Sequence, residues 1–219
     1  MLFRSVHEMV HMVNFYQRGV RRGEYHDTWL EETSAMASED IITPAVIEYT
    51  GIEAERIAPY LRSGGNVSYI NWQRLSNNSY AIGGSFAAFM NRRYGLNFFK
   101  ALQACPNDSY SCVDSFINLN GGGSFASEFA RMGASVFSRM PSSGLPAQYG
   151  FPMRVDGEYR LNAIDVSAFT GPRSGASVSA GYLATSQTFI EDTVVAGKSS
   201  YVRNEVLVPA GTSLTVIVQ

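Results

Sequence analysis

Apolar residues at Leu2, Phe3, Val6, Val10, Val13 and Phe15 recur at close to helical spacing and predict a first helix over residues 1–22. The basic pair Arg21-Arg22 followed by Gly23 has the composition of a helix C-terminus. Asp27 or Thr28 can cap a second helix that runs through Trp29 and Glu32 to about Ile42. Pro44 permits a new helical start carried by Val46 and Ile47, and residues 53–61 add a short helical turn. Residues 63–78, rich in Gly, Ser and Asn, read as loop. A strong helical stretch follows over 79–94, with Phe86, Phe89 and Met90 on one face and Gly95 at its end. Shorter helices are predicted over 98–104 and 113–118. After the Asn120-Gly-Gly-Gly break, Ser124 can cap a helix over 125–140.

The pattern changes beyond Met140. Pro141, Ser142, Ser143, Gly144 and Pro146 read as a linker. From Tyr159 the alternation is strand-like, over 159–164, 178–182, 189–195, 200–208 and 212–218. Turns fall at Gly171-Pro172, Gly197-Lys198 and Pro209-Ala210-Gly211. No internal repeat interrupts this order. The expected architecture is α+β: a mainly helical unit over 1–145, then a small antiparallel β domain over 146–219. The second unit is at the margin of independent stability by size.

Composition narrows the function classes. Of 219 residues, 45% are hydrophobic and 16% charged, which fits a globular core and excludes a disordered or coiled-coil chain. Lys plus Arg total 17 against 19 Asp plus Glu, so no basic excess points to nucleic acid and no basic block to a membrane surface. No apolar run reaches the roughly 18 residues of a membrane span. The first residues carry no signal-peptide pattern. Cys105 and Cys112, either side of a Pro-Asn-Asp-Ser turn, can close a short loop or stand as two free thiols.

His7-Glu8-Met9-Val10-His11 is an HExxH segment inside the first helix. Residues four apart share a helical face, so both imidazoles can meet one Zn²⁺. Glu8 projects beside them, where a carboxylate can take a proton from an attacking water. A catalytic zinc needs a third protein ligand. In Trp29-Leu30-Glu31-Glu32, Glu32 shares its face with Trp29, Ala35 and Met36, an apolar and inward face. A carboxylate there needs a partner, and a metal ion is one. Glu31 shares its face with Asp27, Thr28 and Ser34, which reads as solvated. Glu32 is therefore the expected third ligand and His26, in a loop, its rival.

HEMVHMVNFYQR followed by DTWLEETSAMASED resembles the glutamate-zincin metallopeptidases, and most closely the hyicolysin-like family. That family pairs an HExxH helix with a Trp-Leu-x-Glu helix. Here Glu31 stands where Asn is usual, which leaves the ligand position intact. The metzincin pattern does not fit, because it needs Gly and His where this chain has Asn14 and Gln17. The stretch from Tyr80 to Leu102 is similar to a helix pair of the same family and to the Tyr-x-x-Gly helix of zinc aminopeptidases. That resemblance implies that Tyr80 donates to the oxyanion. Thermolysin-like enzymes carry an orienting Asp four residues after the glutamate ligand. Met36 occupies that position here, so Glu39 or Asp40 is expected in that role.

The resemblance implies a secreted zinc endopeptidase acting on peptide or protein substrates, with a bonded Cys105–Cys112 pair. The alternatives are an aminopeptidase of the same group and a non-catalytic binding module on a peptidase fold. In glutamate-zincins a β-sheet subdomain usually precedes the HExxH helix. The expectation is that this chain lacks that part and exposes an apolar flank on its first helix, unless the β unit substitutes for it.

Overall fold

The computed structural model describes residues 2–46, 52–74, 76–105, 109–169, 183–191, 197–198, 200, 202 and 208–218. Helix α1 (Leu2–Asn14) carries the HExxH segment and passes without a break into a π-helical turn, Phe15–Val20. Gly23, at φ 69°, closes this first unit, in backbone geometry that an L side chain adopts only with strain. Helix α2 (Thr28–Val46) does not stop near Ile42 but runs through Pro44. Proline lacks one amide donor, and in the last turn of a helix that loss is confined to a single bond. Ile47, expected to carry a separate helix there, lies outside the described residues.

A π-helical stretch, Glu53–Ile57, leads into α3 (Ala58–Arg62). Then follow α4 (Asn77–Tyr94), α5 (Leu96–Ala104), α6 (Ser109–Leu119) and α7 (Phe125–Ser138). The Ser124 hydroxyl accepts from the Ser127 N–H and the Ser127 hydroxyl accepts from the Ser124 N–H, a reciprocal N-terminal cap that starts α7 where the sequence puts it. Cys105 and Cys112 form a disulfide between α5 and α6. The link between α1 and α2 is tied to this loop at two points. The buried Arg18 guanidinium donates to the Cys105 carbonyl, and the Asp27 N–H to the Ser109 hydroxyl at 2.9 Å.

Helix α2 packs on α1 along one side and on α4 along the other. Residues 33–41 are accordingly buried all round, polar ones included. On the far side of α2 the core is aromatic. Tyr69, Phe125 and Phe129 stack nearly parallel at 5.8–5.9 Å, with Trp29 edge-on to Tyr69 at 5.0 Å. Phe151, Ile164, Val166 and Phe189 belong to this same core.

Beyond α7, the described residues contain one hairpin, β1 (Arg154–Asp156) with β2 (Tyr159–Leu161), turning at Gly157. An isolated bridge from Phe151 to Ile164 extends it. Asp40 and Arg92 anchor it to the helices: Arg92 donates to Asp40 at 2.8 Å and to the Asn162 carbonyl at 2.8 and 3.0 Å. The protein is thus α+β and mainly helical, with a two-stranded antiparallel sheet. The strand expected over 212–218 is absent. Alternation favours an extended chain, but a strand also needs a paired neighbour and a buried face, and these residues are almost all exposed. Nor do residues 189–191 form a strand; Phe189 instead stacks on Phe137 at 4.8 Å. The expected strand 178–182, residues 192–195 and nearly all of 200–207 fall outside the described residues.

Candidate metal centre

His7 and His11 leave α1 one turn apart on the face that meets α2, their rings edge to face at 4.7 Å. Glu32 projects from α2 towards both. Its Oε2 lies 3.1 Å from His7 Nε2 and 3.6 Å from His11 Nε2. One ligand atom from each of the three residues falls within 4.8 Å of the others. His26, the rival ligand, is not in that group; its Nδ1 faces Glu31 Oε2 at 3.2 Å.

The remaining nitrogen of each histidine is held by its own carboxylate. His7 Nδ1 donates to Glu39 Oε1 at 2.7 Å, and His11 Nδ1 donates to Glu31 Oε1 at 2.9 Å. Glu39 rather than Asp40 is therefore the carboxylate behind His7, while Asp40 is committed to Arg92 and Asn91. The solvated reading of Glu31 is corrected. Glu31 is partly buried and also accepts two bonds from Asn14 Nδ2, each 2.9 Å. The close packing of α1 on α2 turns Glu31 and Ser34 inward, while Asp27 and Thr28 stay exposed.

The electrostatics follow from this density of partners. Burial pulls the His7 imidazole down, but hydrogen bonds to Glu32 and Glu39 and the Glu39 charge outweigh it and raise the pKa to about 9. Hydrogen bonds to Glu31 and Glu32 raise His11 to about 10 against the opposing effect of burial. Burial raises the carboxylates, yet the histidines prevail: Glu32 falls to about 2, as does Glu31, where His26 and Asn14 add to His11.

Tyr80, in the first turn of α4, stands across the site, its ring 6.5 Å from that of His7. Trp72 packs edge-on against it at 5.1 Å. Burial, then the Glu32 charge and a hydrogen bond to Glu32, push the phenol up to about 12, which keeps its proton available for donation at neutral pH. Glu8 lies on α1 beside His7, exposed to solvent. The neighbouring flank of α1 and of the π-helical turn after it exposes Met9, Met12, Val13, Tyr16 and Val20, an apolar stripe. A cavity of about 660 Å³ between α7 and the segments 183–190 and 208–217 is lined by none of these residues.

Two partners of the site were not singled out by sequence: Asn14, and Arg56, whose Nη2 lies 3.5 Å from Glu39 Oε2. Asn14 lies three residues after His11 and seven after His7, so helical spacing alone carries a signal for it. Arg56 comes from the π-helical stretch before α3, and no periodicity connects it to the HExxH helix.

The donor set suits a divalent metal such as Zn²⁺. Two imidazole nitrogens and a carboxylate oxygen converge, and carboxylates fix the opposite nitrogen of each ring. Among the described residues no helix is long and apolar enough to cross a membrane. No curated protein matches the chain. The model of the family described as Peptidase M30 matches it over residues 1–219. A chain matched along its whole length, with an HExxH helix packed on a glutamate-bearing helix, belongs to the peptidase M30 (hyicolysin) family of metallopeptidases.

Proposed function

We propose that the protein is a zinc-dependent endopeptidase in which His7, His11 and Glu32 hold the metal, Glu8 is the general base and Tyr80 the oxyanion donor. The observation that carries this reading is the convergence of the three donors, each imidazole backed by a carboxylate. When bound, Zn²⁺ supplies Lewis-acid activation of water and of the scissile carbonyl.

The chain's own residues do the rest. Glu39 and Glu31 hold the two rings in the tautomer that turns Nε2 towards Glu32. Glu8 takes the proton of the attacking water and returns it to the leaving amine, which balances the hydrolysis. Tyr80 keeps its proton at neutral pH and donates to the oxygen that gains charge at the tetrahedral stage. Secretion fits the disulfide. The division near residue 145 into a catalytic unit and a C-terminal region remains part of the proposal, with the second seated on the core of the first through Phe151, Ile164 and Phe189.

Glu8→Gln tests the proposal. The amide cannot accept the proton, so the variant should keep its zinc and lose about 10²–10⁴-fold in cleavage of casein. Cleavage by the variant at the wild-type rate would remove Glu8 from the role. Restriction of wild-type cleavage to peptides with a free amino terminus would change the assignment to an aminopeptidase.

A further inference from the structure

We propose that Arg56 is a positioning residue that locks Glu39 behind His7 and steadies Tyr80 across the site, so that the ligand side and the oxyanion side move as one unit. This rests on the zinc peptidase reading. Three separate contacts support it.

The first is with Glu39. This carboxylate is 2% exposed; one oxygen accepts from His7 and the other faces Arg56 Nη2 at 3.5 Å. A buried carboxylate needs positive charge or hydrogen bonds nearby. A histidine that ligates a metal does so as a neutral ring, so His7 then offers Glu39 a hydrogen bond but no full charge. The guanidinium of Arg56 is the cation that remains beside it.

The second contact is with Tyr80. The guanidinium carbon lies 5.7 Å from the centre of the Tyr80 ring, in the range of a cation–π contact. Trp72 packs on the same ring edge-on, so the phenol is held from two directions.

The third contact explains how Arg56 reaches both. Its stem lies across α4 at Gly84, where a Cβ would stand 2.6 Å from Arg56 Cγ, 2.7 Å from Cδ and 2.9 Å from Cβ. These atoms are the root of the side chain, so the whole residue would have to shift. Tyr80 and Gly84 are one turn apart on α4, so the stem crosses the glycine and the head arrives at the tyrosine. Glycine is unfavourable inside a helix, and two in succession call for a packing reason. Gly83 admits Met36 and Trp72, and Gly84 admits Arg56. Arg56 touches no reacting atom in this scheme and acts only through Glu39 and Tyr80.

The test compares Arg56→Gln, Arg56→Lys and Gly84→Ala with the wild-type chain. Zinc affinity is read by competition with a chromophoric chelator, kcat and KM on a peptide substrate, and folding by thermal melting. Arg56→Gln should weaken zinc binding about 10–100-fold, the scale for losing a supporting partner of a ligand. It should also lower kcat with KM unchanged. Arg56→Lys keeps the charge beside Glu39 but not the planar group over the ring, so zinc affinity should recover while kcat stays low. Gly84→Ala, with Arg56 intact but displaced, should show both losses. If Arg56→Gln does not fold, the lysine variant still decides, since it must keep zinc and lose kcat.

Wild-type zinc affinity and kcat in Arg56→Gln and Gly84→Ala would overturn the proposal. So would an equal loss of zinc in the glutamine and lysine variants accompanied by a matching fall in melting temperature, because that marks a purely structural role. A wild-type chain that binds no zinc would overturn the peptidase reading itself and this proposal with it.

Discussion

Around His7, the supporting carboxylate of Glu39 is 2% exposed and backed by the Arg56 guanidinium. Around His11, the Glu31 side chain is 25% exposed and is shared with Asn14 and His26. The two ends of the site use the same device, a carboxylate that fixes one imidazole nitrogen, at two depths. Depth changes what the device costs. At the inner end few groups surround a deeply buried charge, and each must stay in place. At the outer end several hydrogen bonds and nearby water share the load, and any one of them can be lost.

Glu39→Ala should break the inner end in two respects. Zinc affinity should fall about 10–100-fold, and stability should fall with it, because His7 and the partly buried Arg56 lose the carboxylate they share. Chelator competition and urea denaturation of the metal-free protein would read the two losses. A variant as stable as wild type would mean that the two ends are not different in kind. Tyr80→Phe should leave zinc in place and cut turnover by about a hundredfold, the scale for one oxyanion donor. Unchanged turnover would make Tyr80 a packing residue of α4. Glu31→Ala should weaken zinc by about tenfold, the low end of the range for such partners. Its stability should change by about 1 kcal/mol or less. Losses in Glu31→Ala that match those in Glu39→Ala would erase the contrast.

A separate expected effect is one of pH on the metal-free protein. The folded-state pKa values of His7 and His11 are raised from 6.5, to about 9 and about 10. Their contribution to stability is therefore complete below pH 6.5 and lost as pH rises through those values. Glu31 and Glu32 are depressed from 4.5 to about 2, so their contribution is complete above pH 4.5 and lost as pH falls through about 2. The melting temperature of chelated protein should be highest between pH 4.5 and 6.5. Zinc should flatten the alkaline decline, because it takes the place of the protons. A chelated protein whose melting temperature does not fall between pH 7 and 10 would count against the close pairing of the histidines with Glu31, Glu32 and Glu39.

Much of the site is legible in the sequence because it is helical. The four-residue spacing sets His7 above His11, and Glu32 stands out as a carboxylate among Trp29, Ala35 and Met36. The same logic misreads Glu31. Its neighbours Asp27, Thr28 and Ser34 are polar; Asp27 and Thr28 do stay exposed, but α1 covers the part of that face that carries Glu31 and Ser34. Polarity along one helix does not distinguish water from a polar partner helix. Arg56 was out of reach for a different reason: its position depends on a π-helical stretch and on a close approach to α4 at Gly84. The Gly83-Gly84 pair was visible, but not what it admits. In the C-terminal region, alternation over 212–218 carried no information about pairing partners, and pairing decides whether an extended segment becomes a strand.

The most direct test of the central claim is elemental analysis of the chain after zinc loading and dialysis, beside its Glu32→Ala variant. One equivalent of zinc is expected in the wild type and essentially none in the variant, with helical content preserved in both. Equal zinc in the two proteins would contradict the assignment of His7, His11 and Glu32 as the metal site.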